Sequence, residues 1–220
     1  MTKKIAFLFP GQGSQAVGMG KDLYDNFESA KNVFDTADKV LSKNISTMCF
    51  EGPEDSLKQT INTQPSIVTM SIAAMEALKS ELDITPSYTA GHSLGEYCAM
   101  YTSGVMSLEN TLKAIQKRAD LMSATKGGSM AAVLNASEEQ LKAGLEEGSK
   151  VGYVDVANYN SPAQVVITGA EDAVKAASDY MVANGVRRVV PLAVSGAFHS
   201  KFMENAGKEF AEFVSNLDLN

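Results

Sequence analysis

Apolar and polar positions follow two rhythms along the chain, and the change between them outlines the architecture. Ile5 to Phe9 is an unbroken apolar run closed by Pro10-Gly11, the pattern of a short buried strand. Apolar residues then recur at helical spacing from about 27 to 41 and from about 66 to 82, the second helix opening just after Pro65. A short strand is predicted at 88–90, then a glycine-bracketed turn and a helix from Leu94 to about Ser103. Gly104 fits the position after it, where a positive φ closes a helix. Another helix covers about 108–124, with Ser107 as its N-cap. Strand, loop and helix in this alternation describe an α/β body with a mainly parallel sheet.

The rhythm changes after Thr125-Lys126-Gly127-Gly128-Ser129, the clearest linker in the sequence. Strands are predicted at 130–134, 154–158, 165–168 and 188–192, the middle two joined by a turn at Ser161-Pro162. A helix with a Ser137/Gln140 capping box ends near Gly148, and a second spans about 171–184. The order βαββαβ is that of a ferredoxin-like unit. The expected fold is therefore α/β: an α/β-hydrolase-like parallel-sheet body with an inserted ferredoxin-like βαββαβ subdomain. The body takes residues 1–126 and 195–220, the insertion 127–194.

Composition narrows the function. A net charge of −7 argues against nucleic acid, whose backbone is gripped by clustered Lys and Arg. No apolar stretch approaches the length of a membrane span, and the run Ile5 to Phe9 is too short for a secretory leader. Cys49 and Cys98 form no CxxC, and two histidines are too few for a zinc site, so no metal is expected. The thiols fit a reducing compartment. A soluble, cytoplasmic, monomeric protein is expected.

Four segments carry chemistry. Gly91-His92-Ser93-Leu94-Gly95 matches the GxSxG nucleophile elbow, in which a serine on a tight strand-to-helix turn projects its hydroxyl. The helix beginning at Leu94 aims its N–H groups at that hydroxyl, where an oxyanion would form. An ordinary glycine-rich turn is the alternative. A serine nucleophile needs a base. His92 neighbours Ser93 on a sharp turn and is expected to pack beneath the elbow, which leaves His199, in Ser195-Gly196-Ala197-Phe198-His199-Ser200, as the candidate. Gly11-Gln12-Gly13-Ser14-Gln15 follows the first strand without a phosphate-loop pattern, and Gln12 there can line a pocket at the carboxyl end of the sheet. Arg118 falls near the apolar side of its helix with Ile115, Ala119 and Met122. It makes either an internal salt bridge, the more common arrangement, or a clamp for a substrate carboxylate.

Taken together, FPGQGSQAVGMG (9–20), TQPSI (63–67), GHSLGEY (91–97), QKRADLM (116–122), NYNSPAQVVITG (158–169) and SGAFHS (195–200) resemble the malonyl-CoA:acyl carrier protein transacylase family of bacterial fatty acid synthesis. The resemblance implies a malonyl-serine intermediate. Ser93 would be the nucleophile and His199 the general base, with the N–H groups of Gln12 and Leu94 as the oxyanion hole. Arg118 would hold the malonyl carboxylate, Phe198 would mark the malonyl-selective loop, and Asn160, with Gln164, would shape the site. Malonyl-CoA would be the substrate and acyl carrier protein the partner, its phosphopantetheine thiol the acceptor; no bound cofactor is implied. Family members run past the equivalent of Asn220, and that further segment orients the base histidine. The chain as given is therefore expected to be unstable or inactive.

Other functions share some of these residues. A serine esterase or thioesterase would use the elbow but leave Arg118 and the GQGSQ loop without a role. A fragment that binds carrier protein without turnover, and a transferase serving a polyketide pathway, are the remaining alternatives. Lys117, Lys126, Arg187, Arg188 and Lys201 are candidates for a basic patch that meets an acidic carrier.

Overall fold

The computed structural model describes residues 4–194 and 196–220. Ser195, the first residue of the expected base loop and of the body's second segment, lies outside the described residues, as do Met1, Thr2 and Lys3 at the start of the first segment. The protein is a mixed α/β structure containing one parallel and one antiparallel sheet. It divides into two compact units, residues 1–120 with 210–220 and residues 121–209.

In the first unit, β1 (Ala6–Phe9) pairs in parallel with β2 (Tyr88–Gly91), Phe9 opposite Gly91. Between them come α1 (Lys21–Asn26), α2 (Glu28–Leu41), α3 (Ile45–Glu51), α4 (Glu54–Leu57) and α5 (Thr60–Glu81). After β2 come α6 (Gly95–Thr102) and α7 (Leu108–Ala124), which continues past residue 120 into the second unit. Ala30, Val33 and Phe34 of α2, Val68 and Ile72 of α5, Leu94, Cys98 and Leu112 form the core, and Tyr24 packs edge to face on Phe34 and Phe50, which are tilted against each other.

Two expectations fail in this unit. The helix predicted to open after Pro65 begins at Thr60, so the proline lies inside α5. The entry turn carries the loss of the Pro65 N–H because side chains tie it down: Thr63 Oγ1 donates to the carbonyls of Leu57 and Gln59, and Asn62 Nδ2 to that of Ser56. The expected two-sided burial of β1 is also not found. Ala6, Leu8, Tyr88 and Ala90 share one exposed face of the two-stranded sheet, with Leu8 77% exposed, while Phe7 and Phe9 face the core.

The second unit holds β3 (Ser129–Leu134), α8 (Glu138–Ser149), β4 (Val154–Ser161), β5 (Gln164–Gly169), α9 (Glu171–Ala183) and β6 (Arg188–Pro191), followed by a 3-10 turn (Lys201–Met203) and the start of α10 (Glu204–Val214). The sheet order is β4-β5-β3-β6 with every neighbouring pair antiparallel. Ala131, Val133 and Ile167 pack beneath Val174, Ala177 and Met181 of α9. The Ser137/Gln140 capping box starts α8 with both reciprocal bonds made. This unit starts earlier and ends later than residues 127–194, because Met122 and Met203 pack with Met130, Ala132, Val166 and Phe198 in its second core cluster.

Candidate active site

The elbow follows from where two glycines sit. A Cβ on Gly91 would enter the main chain of Gly95, and a Cβ on Gly95 would lie 2.6 and 2.7 Å from the carbonyl oxygens of Phe9 and Pro10. Only glycine at both positions lets β2 turn directly into α6 while α6 rests on the end of β1. Between them Ser93 is held at φ 53°, in the left-handed region that a residue with a Cβ enters at a cost of roughly 1–2 kcal/mol. Leu94, 1% exposed, anchors the turn. The N–H groups of Gly95, Glu96 and Tyr97 bond back to the carbonyls of His92, Ser93 and Leu94, so the N–H of Leu94 stands ahead of the first closed turn.

Arg118 reaches this serine from α7. Its Nη2 donates to Ser93 Oγ at 2.9 Å, its Nη1 donates to Gln64 Oε1 at 2.5 Å, and its guanidinium lies 5.9 Å from the centre of the Tyr97 ring. Among the described residues no carboxylate pairs with it, so the internal salt bridge left open by the sequence is not formed here. Burial lowers the Arg118 pKa from its usual value, with partial compensation from Tyr97 and Glu96, and burial also pushes the Tyr97 hydroxyl up to about 12. The result is a half-buried cation held by neutral groups. Such a group gains most from an anion that brings its own charge.

The loop after β1 is tied to itself: Ser14 Oγ donates to the Gly11 carbonyl at 2.9 Å, and the Gly13 N–H donates to Gln15 Oε1 at 2.8 Å. Gln12 Nε2 donates to Thr60 Oγ1 at 3.2 Å, at the first residue of α5. His92 corrects an expectation. It is exposed and lies over Gly11, where any Cβ would strike its ring, because β2 carries it past the end of β1 rather than under the turn. His92 thus contacts the GQGSQ loop.

His199, Phe198 and Asn160 belong to the second unit. Thr168 Oγ1 donates to the Phe198 carbonyl at 2.9 Å, Ser200 Oγ donates to the Ala197 carbonyl at 2.5 Å, and the Phe202 N–H returns to Ser200 Oγ at 3.1 Å. The linker glycines help to seat this loop, since a Cβ on Gly128 would meet Ala197 Cβ and lie 2.6 Å from the Gly169 carbonyl. His199 emerges exposed at φ 55°, so two of the four described non-glycine residues with positive φ are the predicted nucleophile and the predicted base. Phe198, expected to touch substrate, is 4% exposed and packs among Met122, Met130, Ala132 and Val166. Asn160 is exposed on β4, and its Nδ2 donates to Gln164 Oε1 across the hairpin at 2.9 Å. Lys201 places its ammonium 4.1 Å from the centre of the Tyr153 ring.

Sequence reasoning left Gln64, Thr60 and Tyr97 without roles. Gln64 and Tyr97 lay inside the TQPSI and GHSLGEY segments, but a glutamine in a helix is ordinarily an exposed one. No helix of the described residues is long and apolar enough to cross a membrane, and no group of three or more His, Cys, Asp or Glu among them could hold a metal ion.

A glycine-bracketed serine under a half-buried guanidinium, on a mixed α/β frame, suits acyl transfer, and the family model described as "Acyl transferase domain" matches residues 6–219. The malonyl CoA-acyl carrier protein transacylase of Bacillus subtilis (strain 168) is 43% identical over 220 residues, covering 98% of this chain and 69% of that protein. The crystal structure of the acyl-carrier-protein S-malonyltransferase from Burkholderia pseudomallei 1710b superposes with a TM-score of 0.95 at 35% identity, covering 99% of this chain and 72% of that one. A complex of a type II polyketide acyl carrier protein with its malonyl transacylase, PlMCAT:AntF, matches with a TM-score of 0.94 at 33% identity, over 99% of this chain and 72% of that one. The chain belongs to the acyl transferase family, in its malonyl CoA-acyl carrier protein transacylase branch.

Proposed function

We propose that the protein transfers a malonyl group from malonyl-CoA to the phosphopantetheine thiol of an acyl carrier protein through a malonyl ester on Ser93. The observation that carries this reading is Arg118: a half-buried cation with no carboxylate partner among the described residues, hydrogen-bonded to the proposed nucleophile. A site that leaves such a cation unmatched favours an acyl group with its own carboxylate over acetyl.

In the proposed reaction Ser93 Oγ adds to the thioester carbonyl and its proton passes to His199. The N–H groups of Leu94 and Gln12 receive the oxyanion. Collapse breaks the C–S bond, and the proton returns from His199 to the departing coenzyme A sulfur. In the second half His199 takes the proton of the carrier's pantetheine thiol, whose sulfur forms the new C–S bond; the Ser93 Oγ–C bond breaks, and His199 returns the proton to Ser93 Oγ. The role of His199 rests on chemistry: an exposed imidazole on a strained backbone is suited to exchange a proton, whereas His92 packs over Gly11. Phe198 is proposed to fix this loop from the core, and Asn160 with Gln164 to line the entrance. No bound cofactor is needed, and a cytoplasmic setting follows from the substrates.

The same reading makes residues 127–194 a ferredoxin-like insertion in an α/β-hydrolase-like body of 1–126 and 195–220. The βαββαβ order and the antiparallel sheet β4-β5-β3-β6 support the first half of that statement. The resemblance to PlMCAT:AntF keeps a polyketide carrier open beside a fatty acid one.

Intact-mass spectrometry after brief exposure to malonyl-CoA tests the proposal. The parent chain should gain one malonyl adduct, stable until a carrier thiol is supplied, and Ser93→Ala should gain none. Prompt release of free malonate would mark a hydrolase instead, and an adduct on both proteins would reject Ser93.

A further inference from the structure

We infer that Gln64 is the positioning residue that gives Arg118 its selectivity, by fixing the guanidinium without neutralising it. The inference rests on the reading of Arg118 given above and assigns a task to a residue about one turn inside a different helix.

Gln64 is 0% exposed, and its carbonyl oxygen accepts from Arg118 Nη1 while Nη2 of the same guanidinium donates to Ser93 Oγ. A guanidinium can rotate about its long stem. Anchoring one nitrogen at Gln64, with the guanidinium carbon 5.9 Å from the centre of the Tyr97 ring, leaves its orientation at Ser93 defined. Thr60 lies four residues earlier on the same face of α5 and holds the Gln12 side chain, so one helix face supports two of the groups proposed to act on the acyl carbonyl and its carboxylate.

The chemical identity of residue 64 is what matters. A glutamate has almost the same shape and would accept the same hydrogen bond, but it would pair with Arg118 as a buried ion pair and satisfy its charge. The incoming carboxylate would then meet a neutral pair and a nearby like charge. An aliphatic side chain would leave the charge but not the orientation. Glutamine alone among these fixes the cation and leaves its charge unspent.

The test measures initial rates of adduct formation from malonyl-CoA and from acetyl-CoA for the parent, Gln64→Glu and Gln64→Met, with thermal melts for all three. In Gln64→Glu the malonyl-to-acetyl rate ratio should fall on the order of 100-fold, because malonyl loading collapses and acetyl loading changes far less. In Gln64→Met, close in volume and uncharged, the ratio should fall on the order of 10-fold. A merely structural role would lower both rates together and leave the ratio at the parent value, which overturns the inference. Should Gln64→Glu fail to fold, the ratio in Gln64→Met decides alone. A parent that loads acetyl as readily as malonyl would refute the reading of Arg118, whereas a selective parent whose variants stay equally selective refutes only the role of Gln64.

Discussion

Substituting alanine at Gly95 and at Gly207 should move stability in opposite directions, although both glycines are helical. At Gly95 the new methyl would lie 2.6 Å from the Phe9 carbonyl and 2.7 Å from that of Pro10, closer than the 3.0 Å that real Cβ contacts keep. Both obstacles are main chain, and the Phe9 oxygen already accepts the His92 N–H at 3.0 Å, so neither can swing aside. Relief requires α6 to move off the end of β1, an overpacking penalty of about 1–3 kcal/mol. Gly207 sits within α10, where an added Cβ meets nothing within 4 Å. There alanine only removes glycine's excess freedom in the unfolded chain and should stabilise by about 0.5–1 kcal/mol. Urea unfolding of the parent and both variants measures the two shifts. Since α6 carries Ser93 at its start, Gly95→Ala should also slow malonyl loading by more than its unfolded fraction accounts for. Equal shifts of one sign in both variants, or a Gly95→Ala protein as stable and as reactive as the parent, would refute this account of the elbow.

Three further outcomes are expected. Thr60→Val removes the anchor of the Gln12 amide and should slow malonyl and acetyl loading alike by roughly 2- to 10-fold, leaving the ratio between them unchanged; a shift in that ratio would show that Thr60 acts through Arg118 instead. Cys98 is buried and its thiol is pushed up to about 12 from an ordinary value near 9, so the unfolded chain releases that proton first. Its contribution to stability is complete below about pH 9 and is lost as pH rises toward 12, at up to about 1.4 kcal/mol per pH unit; the alkaline fall in stability should be shallower in Cys98→Ala, and parallel slopes would argue otherwise. Ser137→Ala removes the hydroxyl that accepts the Gln140 N–H at the start of α8, leaving the reciprocal bond from the residue 137 N–H to Gln140 Oε1, and should cost about 1 kcal/mol in thermal or urea unfolding, with no loss counting against the cap.

The sequence disclosed what repeats or punctuates. Helix 108–124 is found as read, because an apolar stripe, an N-cap at Ser107 and a definite end all agree. The four strands and two helices of the second unit are legible for the same reason. What was missed is short or buried on every side. The helices at 45–51 and 54–57 span too few residues for a period to register. Helix α5 buries Thr60, Thr63, Gln64, Ser66, Thr69 and Ser71 along with its apolar residues, so no polar face announces its start, and Pro65 marked a boundary that tertiary hydrogen bonds override.

The same limit applies to the site. A GxSxG pattern carries its own reason, since backbone crowding at Gly91 and Gly95 leaves no other residue possible. Arg118 carried only half of one: helical spacing placed it near the apolar side, and base frequencies then favoured a carboxylate partner. That partner had to come from somewhere in the fold, and the group that folding supplies is the neutral oxygen of Gln64, which no local pattern distinguishes from a solvated glutamine. A charge that a protein buries and fixes but does not neutralise is costly to the folded state. The cost is recovered when a substrate brings the missing carboxylate, so selectivity for that substrate is written in the neutrality of residue 64 as much as in the charge of residue 118.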